Sequence, residues 1–73
     1  GWITTLMVKV REMKPRVALL KRFIDIAAAC LELNNFNSVV EIVSGLGTTA
    51  VRRLTETWDL LPEETKDLFA QLK

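Results

Sequence analysis

The side chains able to do chemistry are few, and they do not gather. Cys30 is the one cysteine and there is no histidine, so neither a thiolate–imidazole pair nor a zinc-ligand set can be assembled. The thiol sits in an apolar run, Ala27-Ala28-Ala29-Cys30-Leu31, where a cysteine is ordinarily inert packing, because a reactive thiolate needs positive charge beside it. Glu63-Glu64 is a carboxylate pair of the kind general acid–base work uses. It directly follows Pro62, however, where negative charge complements the amino end of a helix. Ser44-Gly45-Leu46-Gly47 offers glycines beside a hydroxyl, but no strand precedes it and the spacing does not match a phosphate-cradling loop. A helix stop is the simpler reading. Thr48, Thr49, Arg52 and Arg53 follow a glycine turn, as base and phosphate contacts do in a helix-turn-helix. Glu56 and Asp59 share that helix, and ten basic against nine acidic residues leave a net charge of +1. A nucleic-acid-binding role is therefore only a remote alternative. Trp2 and Trp58 read as core anchors more readily than as stacking platforms. The expectation is a chain that makes and breaks no covalent bonds and holds neither cofactor nor metal.

The scaffold for these residues is small. Seventy-three residues can form one domain at most, and the lone cysteine rules out an internal disulfide, so the hydrophobic core or a partner must supply the stability. Apolar residues make up 49% of the chain, a high share for a short sequence that must also cover itself, and this suggests a segment of a larger helical body. Gly1 in place of an initiator methionine and a helical pattern still running at Lys73 lead to the same expectation of an internal fragment. No apolar run approaches a membrane span and no signal-peptide pattern opens the chain. The expected home is a reducing, soluble compartment.

Hydrophobic spacing predicts five helical stretches and no strand. The first runs over about 2–12, with Trp2, Ile3, Leu6, Met7 and Val10 on one face. Met13-Lys14-Pro15 breaks it. Pro15 suits the first position of the second helix, which runs to about Leu33 with a stripe of Val17, Leu20, Ile24, Ala27, Ala28 and Leu31. Leu19, Phe23 and Ala29 widen the stripe, which predicts cover on two sides, and the small run 27–30 allows another helix close. Asn34-Asn35 ends it, since asparagine tolerates the left-handed conformation. Ser38-Val39-Val40-Glu41 fits a capping box opening the third helix, and Gly45 and Gly47 close it. Thr48 or Thr49 caps the fourth, which turns Val51, Leu54 and Trp58 inward. Leu60-Leu61-Pro62 is a joint. The fifth helix buries Leu68, Phe69 and Leu72. The predicted fold is all-α, its short helices packed orthogonally or as a bundle. The apolar sides of the second and third helices predict exposed patches and self-association, or completion by other chains.

A resemblance attaches to these elements. Leu31-Glu32-Leu33-Asn34-Asn35-Phe36-Asn37-Ser38 is similar to the L-x-N-F-N-S stretch in the catalytic domain of Ras-type guanine-nucleotide exchange factors. Upstream, Arg16 to Ile24 resembles that family's R-x-x-x-[IVL]-x-[KR]-[FW]-[IV] helix, and Trp2 matches the tryptophan that opens the preceding one. Downstream, Glu41-Ile42-Val43-Ser44-Gly45-Leu46 resembles [EA]-I-[VL]-S-[GA]-[LM], and residues 51–58 resemble V-x-R-L-x-x-T-W. The resemblance covers nearly the whole chain.

It implies an all-helical domain that binds the two switch regions of a Ras-family small GTPase. In that family a helical hairpin pries one switch away and disturbs the magnesium and phosphate site, so that GDP leaves and GTP replaces it. The hairpin lies further along the family's domain than Lys73, so residues 1–73 are expected to be inactive by themselves. Carried over by position, Val40, Leu46, Gly47, Thr49 and Arg52 fall at or beside places that face the second switch. Val40 and Leu46 also read as ordinary core, and Arg52 as a solvated cation or a partner for an acidic switch residue. Gly47 stands where the family usually has asparagine, which keeps a second reading open: an exchange-factor-like scaffold that binds without exchanging nucleotide. Asn34, Asn35 and Asn37 read as turn and capping residues, and Arg53-Leu54 as scaffold. The implied setting is cytoplasmic, with membranes reached only through the GTPase or other domains.

Overall fold

A computed structural model describes residues 1–73 as six helices with no strand: α1 Trp2–Lys9, α2 Met13–Glu32, α3 Phe36–Leu46, α4 Thr49–Arg52, α5 Thr55–Asp59 and α6 Glu63–Leu72. The fold is all-α, as the spacing predicts. Helix α2 is the spine, packed against α3, α5, α6 and α1. Its wide stripe is covered on more than one side because Leu20, Phe23, Ile24 and Ala27 all enter the core.

The helix boundaries depart from expectation in instructive ways. Helix α1 stops at Lys9, not near Glu12, and Val10 is already extended. Helix α2 starts at Met13, so Pro15 occupies its third position instead of its first. The first backbone bond of α2 runs from the Arg16 N–H to the Glu12 carbonyl. Proline is tolerated one residue earlier because that N–H would have no intrahelical acceptor in any case. Asn34 has φ 59°, the left-handed turn its residue type favours.

The capping box at Ser38 does not form. Asn35 is the N-cap, and its side chain accepts from the Ser38 N–H at 3.4 Å. Glu41 instead accepts the Trp2 indole N–H at 2.6 Å, a tertiary bond that outweighs a local one the motif would make. Thr48 precedes α4 but makes no side-chain cap.

The predicted fourth helix is two helices. Its break falls at Arg53-Leu54, without glycine or proline. The Val51 carbonyl, which a continuing helix would offer to the N–H four residues on, is taken by the Leu54 N–H and by the Trp58 indole N–H, both at 3.0 Å. Those bonds stop α4 and turn α5 back under it. Val51 is fully buried, while Leu54 and Trp58 are half-buried.

The core gathers Ile3 and Met7 of α1, the α2 stripe, Ile42 and Leu46 of α3, Val51, Leu61 and Phe69. Full burial of such side chains stabilises by about 1.5–3 kcal/mol each before entropy is charged against it. Trp2 lies outside, edge-on to Phe23 at 5.8 Å between centroids, so it clasps α1 to α2 and α3 from the surface. Leu6 is likewise exposed. Helices α1 and α3 touch at Gly45, where a Cβ would lie 2.9 Å from the Ile3 Cβ. That glycine serves close approach. Gly47 ends α3 with φ −86°, a conformation any residue adopts.

Candidate functional site

The residues singled out for binding sit around the carboxyl end of α3, the turn after it, and α4. Val40 lies on α3 and Gly47, seven residues on, caps its carboxyl end. Val40 is 63% exposed. Gly47, Thr49 and Arg52 are also exposed. Leu46 has no exposed surface: it underlies this face instead of presenting itself to a partner.

The turn is fixed by hydroxyls. Thr4 Oγ1 lies 3.1 Å and Thr48 Oγ1 3.0 Å from the Gly45 carbonyl, and the two hydroxyls are 3.0 Å apart. Each hydroxyl carries a single proton, so two of these three contacts are filled at any moment. Either way the carbonyl near the end of α3 is satisfied and α1 is tied to the turn. Beneath it, the Trp58–Val51 bond and the Trp58–Phe69 ring pair, 5.0 Å between centroids at 45°, hold α5 and α6 against α4.

Between α3, α5 and α6 lies an open groove of about 400 Å³. Gly47 and Arg52 line it at the surface and Leu46 lies buried beneath it; Trp58, Asp59, Lys66, Phe69 and Lys73 also line it. Val40 and Thr49 lie outside the lining. The structure thus brings three of the five positions to one groove and leaves two on the surface beside it. Lys66 pairs with Glu63 at 3.4 Å and Lys21 with Asp25 at 3.2 Å, both exposed pairs of small energetic worth. Arg52 is in neither ion pair. No cluster of acidic residues, cysteine and histidine has metal-holding geometry.

Sequence reasoning passed over a second polar node. Thr57 is completely buried. It accepts from Arg16 Nε at 2.9 Å and donates to Met13 Sδ at 3.3 Å, while Arg16 Nη1 donates to the Val10 carbonyl at 3.1 Å. The node ties the loop before α2 to α5. Thr57 sits among polar neighbours, and only its place in the T-W pair hinted at a role. The glycine turn is not a helix-turn-helix in form: α4 has four residues, too short to lie along a groove as a recognition helix.

The RasGEF domain family matches residues 1–73, and this chain belongs to that family. Ras guanine nucleotide exchange factor M of Dictyostelium discoideum is 44% identical over 73 residues, all of this chain and 8% of that protein. Rap guanine nucleotide exchange factor 5 of Homo sapiens is 42% identical over 72 residues, 99% of this chain and 12% of that protein. Cell division control protein 25 of Saccharomyces cerevisiae is 41% identical over 72 residues, 99% of this chain and 4% of that protein. The chain therefore spans no more than 12% of the length of these relatives. No solved structure matches it. No helix is long and apolar enough to cross a membrane.

Proposed function

We propose that this chain forms part of the GTPase-binding core of a guanine-nucleotide exchange factor acting on a Ras-family small GTPase. The observation that carries the reading is the match of the RasGEF family across residues 1–73, among relatives named as exchange factors for Ras and Rap. Exchange needs no covalent chemistry. A protein that binds the nucleotide-free GTPase more tightly than the loaded one lowers nucleotide affinity by the same factor, because the two binding equilibria are linked. In this reading Val40 supplies apolar area, Thr49 a hydroxyl and Arg52 a guanidinium to the second switch. Gly47 keeps the surface low between them, and Leu46 props it from below.

Residues 1–73 by themselves carry this face but not the switch-displacing hairpin, so they do not accelerate nucleotide release. The chain works in the cytoplasm, and membranes are reached through the GTPase or through other domains. Gly47 supports one further reading, a scaffold that binds without exchanging, since the polar side chain the family places there is missing.

Release of a fluorescent guanine nucleotide from Ras-, Rap- and Ral-type GTPases tests the proposal, using a complete RasGEF domain that carries these residues. Accelerated release from one class supports exchange and names the partner. A folded domain that binds a GTPase without acceleration supports the scaffold. Arg52→Glu is expected to lower kcat/KM about tenfold through lost charge complementarity at an exposed position, with unfolding unchanged.

A further inference from the structure

We infer that a second groove, between α2 and α6, receives the guanidinium of an arginine side chain carried on a peptide segment of a partner. The groove holds about 350 Å³, within the range of small-ligand sites, roughly 300–1,000 Å³. It is open along the surface, which suits a side chain that stays attached to its own backbone. None of its residues is among the five proposed to face the GTPase, so the two sites are separate.

The floor of this groove carries a hydroxyl without a partner. Thr65 is 3% exposed and lines the groove. The hydrogen-bonded threonine hydroxyls are those of Thr4, Thr5, Thr48 and Thr57; Thr65 makes no such bond. No fully enclosed polar atom of the chain lacks a partner, so the Thr65 hydroxyl keeps a sliver of access, and the groove supplies it. A hydroxyl held this deep offers lone pairs that the chain leaves unused. Leu68, one turn further along α6 and half-buried, adds an apolar surface for the methylenes of a long side chain.

The walls decide the sign and shape of the ligand. Asp25, Glu64 and Asp67 border the groove against a single cation, Lys21. Lys21 is paired with Asp25 at 3.2 Å, whereas Glu64 and Asp67 are in neither ion pair of the chain. Those two carboxylates are three residues apart on α6 and are neighbours on its surface, where like charges oppose the helix. A cation between them relieves that repulsion, and an anion would add to it. A metal ion fits poorly, because no group of acidic side chains has metal-holding geometry. An ammonium presents three donors from one point. A guanidinium presents five in a planar fork, which can meet two carboxylates and the Thr65 hydroxyl together.

The probes are three tripeptides, each a central residue between two glycines with both ends blocked, added to the ¹⁵N-labelled chain. The central residue is arginine, citrulline or lysine; citrulline keeps the shape of arginine and loses its charge. The arginine peptide is expected to move the amides of residues 21–25 and 64–71 in a saturable way and to leave those of α1 in place. The citrulline peptide is expected to bind about fivefold more weakly and the lysine peptide about threefold more weakly. The Glu64→Gln/Asp67→Asn double variant is expected to bind the arginine peptide about tenfold more weakly. Thr65→Val is expected to bind it about threefold more weakly without a lower urea midpoint, because a hydroxyl with no partner gives way to a methyl group of the same shape. That variant separates binding from folding. Equal affinity for arginine and citrulline, tighter binding of lysine, unchanged binding by Thr65→Val, or movement spread evenly over α1 overturns the site.

Discussion

Two ends of α3 are built from similar residues and behave oppositely. At its carboxyl end Leu46 packs with Ile3 and Val51, all within 2% of complete burial, and the polar atoms around them are met by Thr4 and Thr48. At its amino end, by the Asn34 turn, Leu33 is 79% and Phe36 58% exposed. The difference lies not in hydrophobicity but in what approaches. The carboxyl end has a glycine that admits α1 and threonines that satisfy the backbone there. The amino end has bulky side chains and no helix laid across it. Closure of a core needs small residues and satisfied polar groups as well as apolar area.

The largest effect tests the closed end. Leu46→Ala should cost about 3 kcal/mol, much of the stability of a domain this size, as read by urea unfolding; a loss below about 1 kcal/mol would mean that the core is not closed there. Next, Gly45→Ala places a methyl against Ile3 and should cost about 1–3 kcal/mol. Pairing it with Ile3→Ala, which removes the Cγ2 and Cδ1 atoms 3.1 and 3.3 Å from that methyl, should cost less than the sum of the two single changes, since the two sites touch and are coupled. Additive losses would deny that contact. Thr57→Val removes the hydroxyl shared by Arg16 and Met13 and should cost about 1–2 kcal/mol, again by urea. The smallest change in stability belongs to the open end. Phe36→Ser with Val40→Ser should stay within about 0.5 kcal/mol while reducing the self-association of the chain seen by sedimentation at rising concentration. A parent chain that stays monomeric throughout would show that this exposed apolar end is not adhesive.

Much of this contrast was legible in the sequence, and the rest was hidden for identifiable reasons. The all-α class, the Asn34 turn, the α2 stripe and the Pro62 joint follow from local spacing and turn chemistry. The break at Leu54 does not, because a side chain four residues further on takes the carbonyl that would have continued the helix. The cap at Asn35 was obscured by a better-looking motif at Ser38, whose glutamate is engaged 39 residues away by Trp2. Leu46 was even-handedly core or contact from sequence, and only the packing places it inside. Arg52, Gly47 and Thr49 were found by family resemblance, not by spacing. Asp59, Lys66 and Lys73, which complete the groove, lie on other elements and have no pattern that joins them.

The side-chain bonds that hold α1 against α3 and its turn, from Trp2 and from Thr4, each reach 39 to 44 residues along the chain. Loops of that length close late, since their entropy must be met before the contacts reward it. Helix α1, eight residues long, cannot hold its shape alone. It follows that α1 settles late and leaves early. Its amides should exchange with solvent through an opening that spares α2 and α3, so the face near Gly45 has a smaller free energy of opening than the spine beneath it.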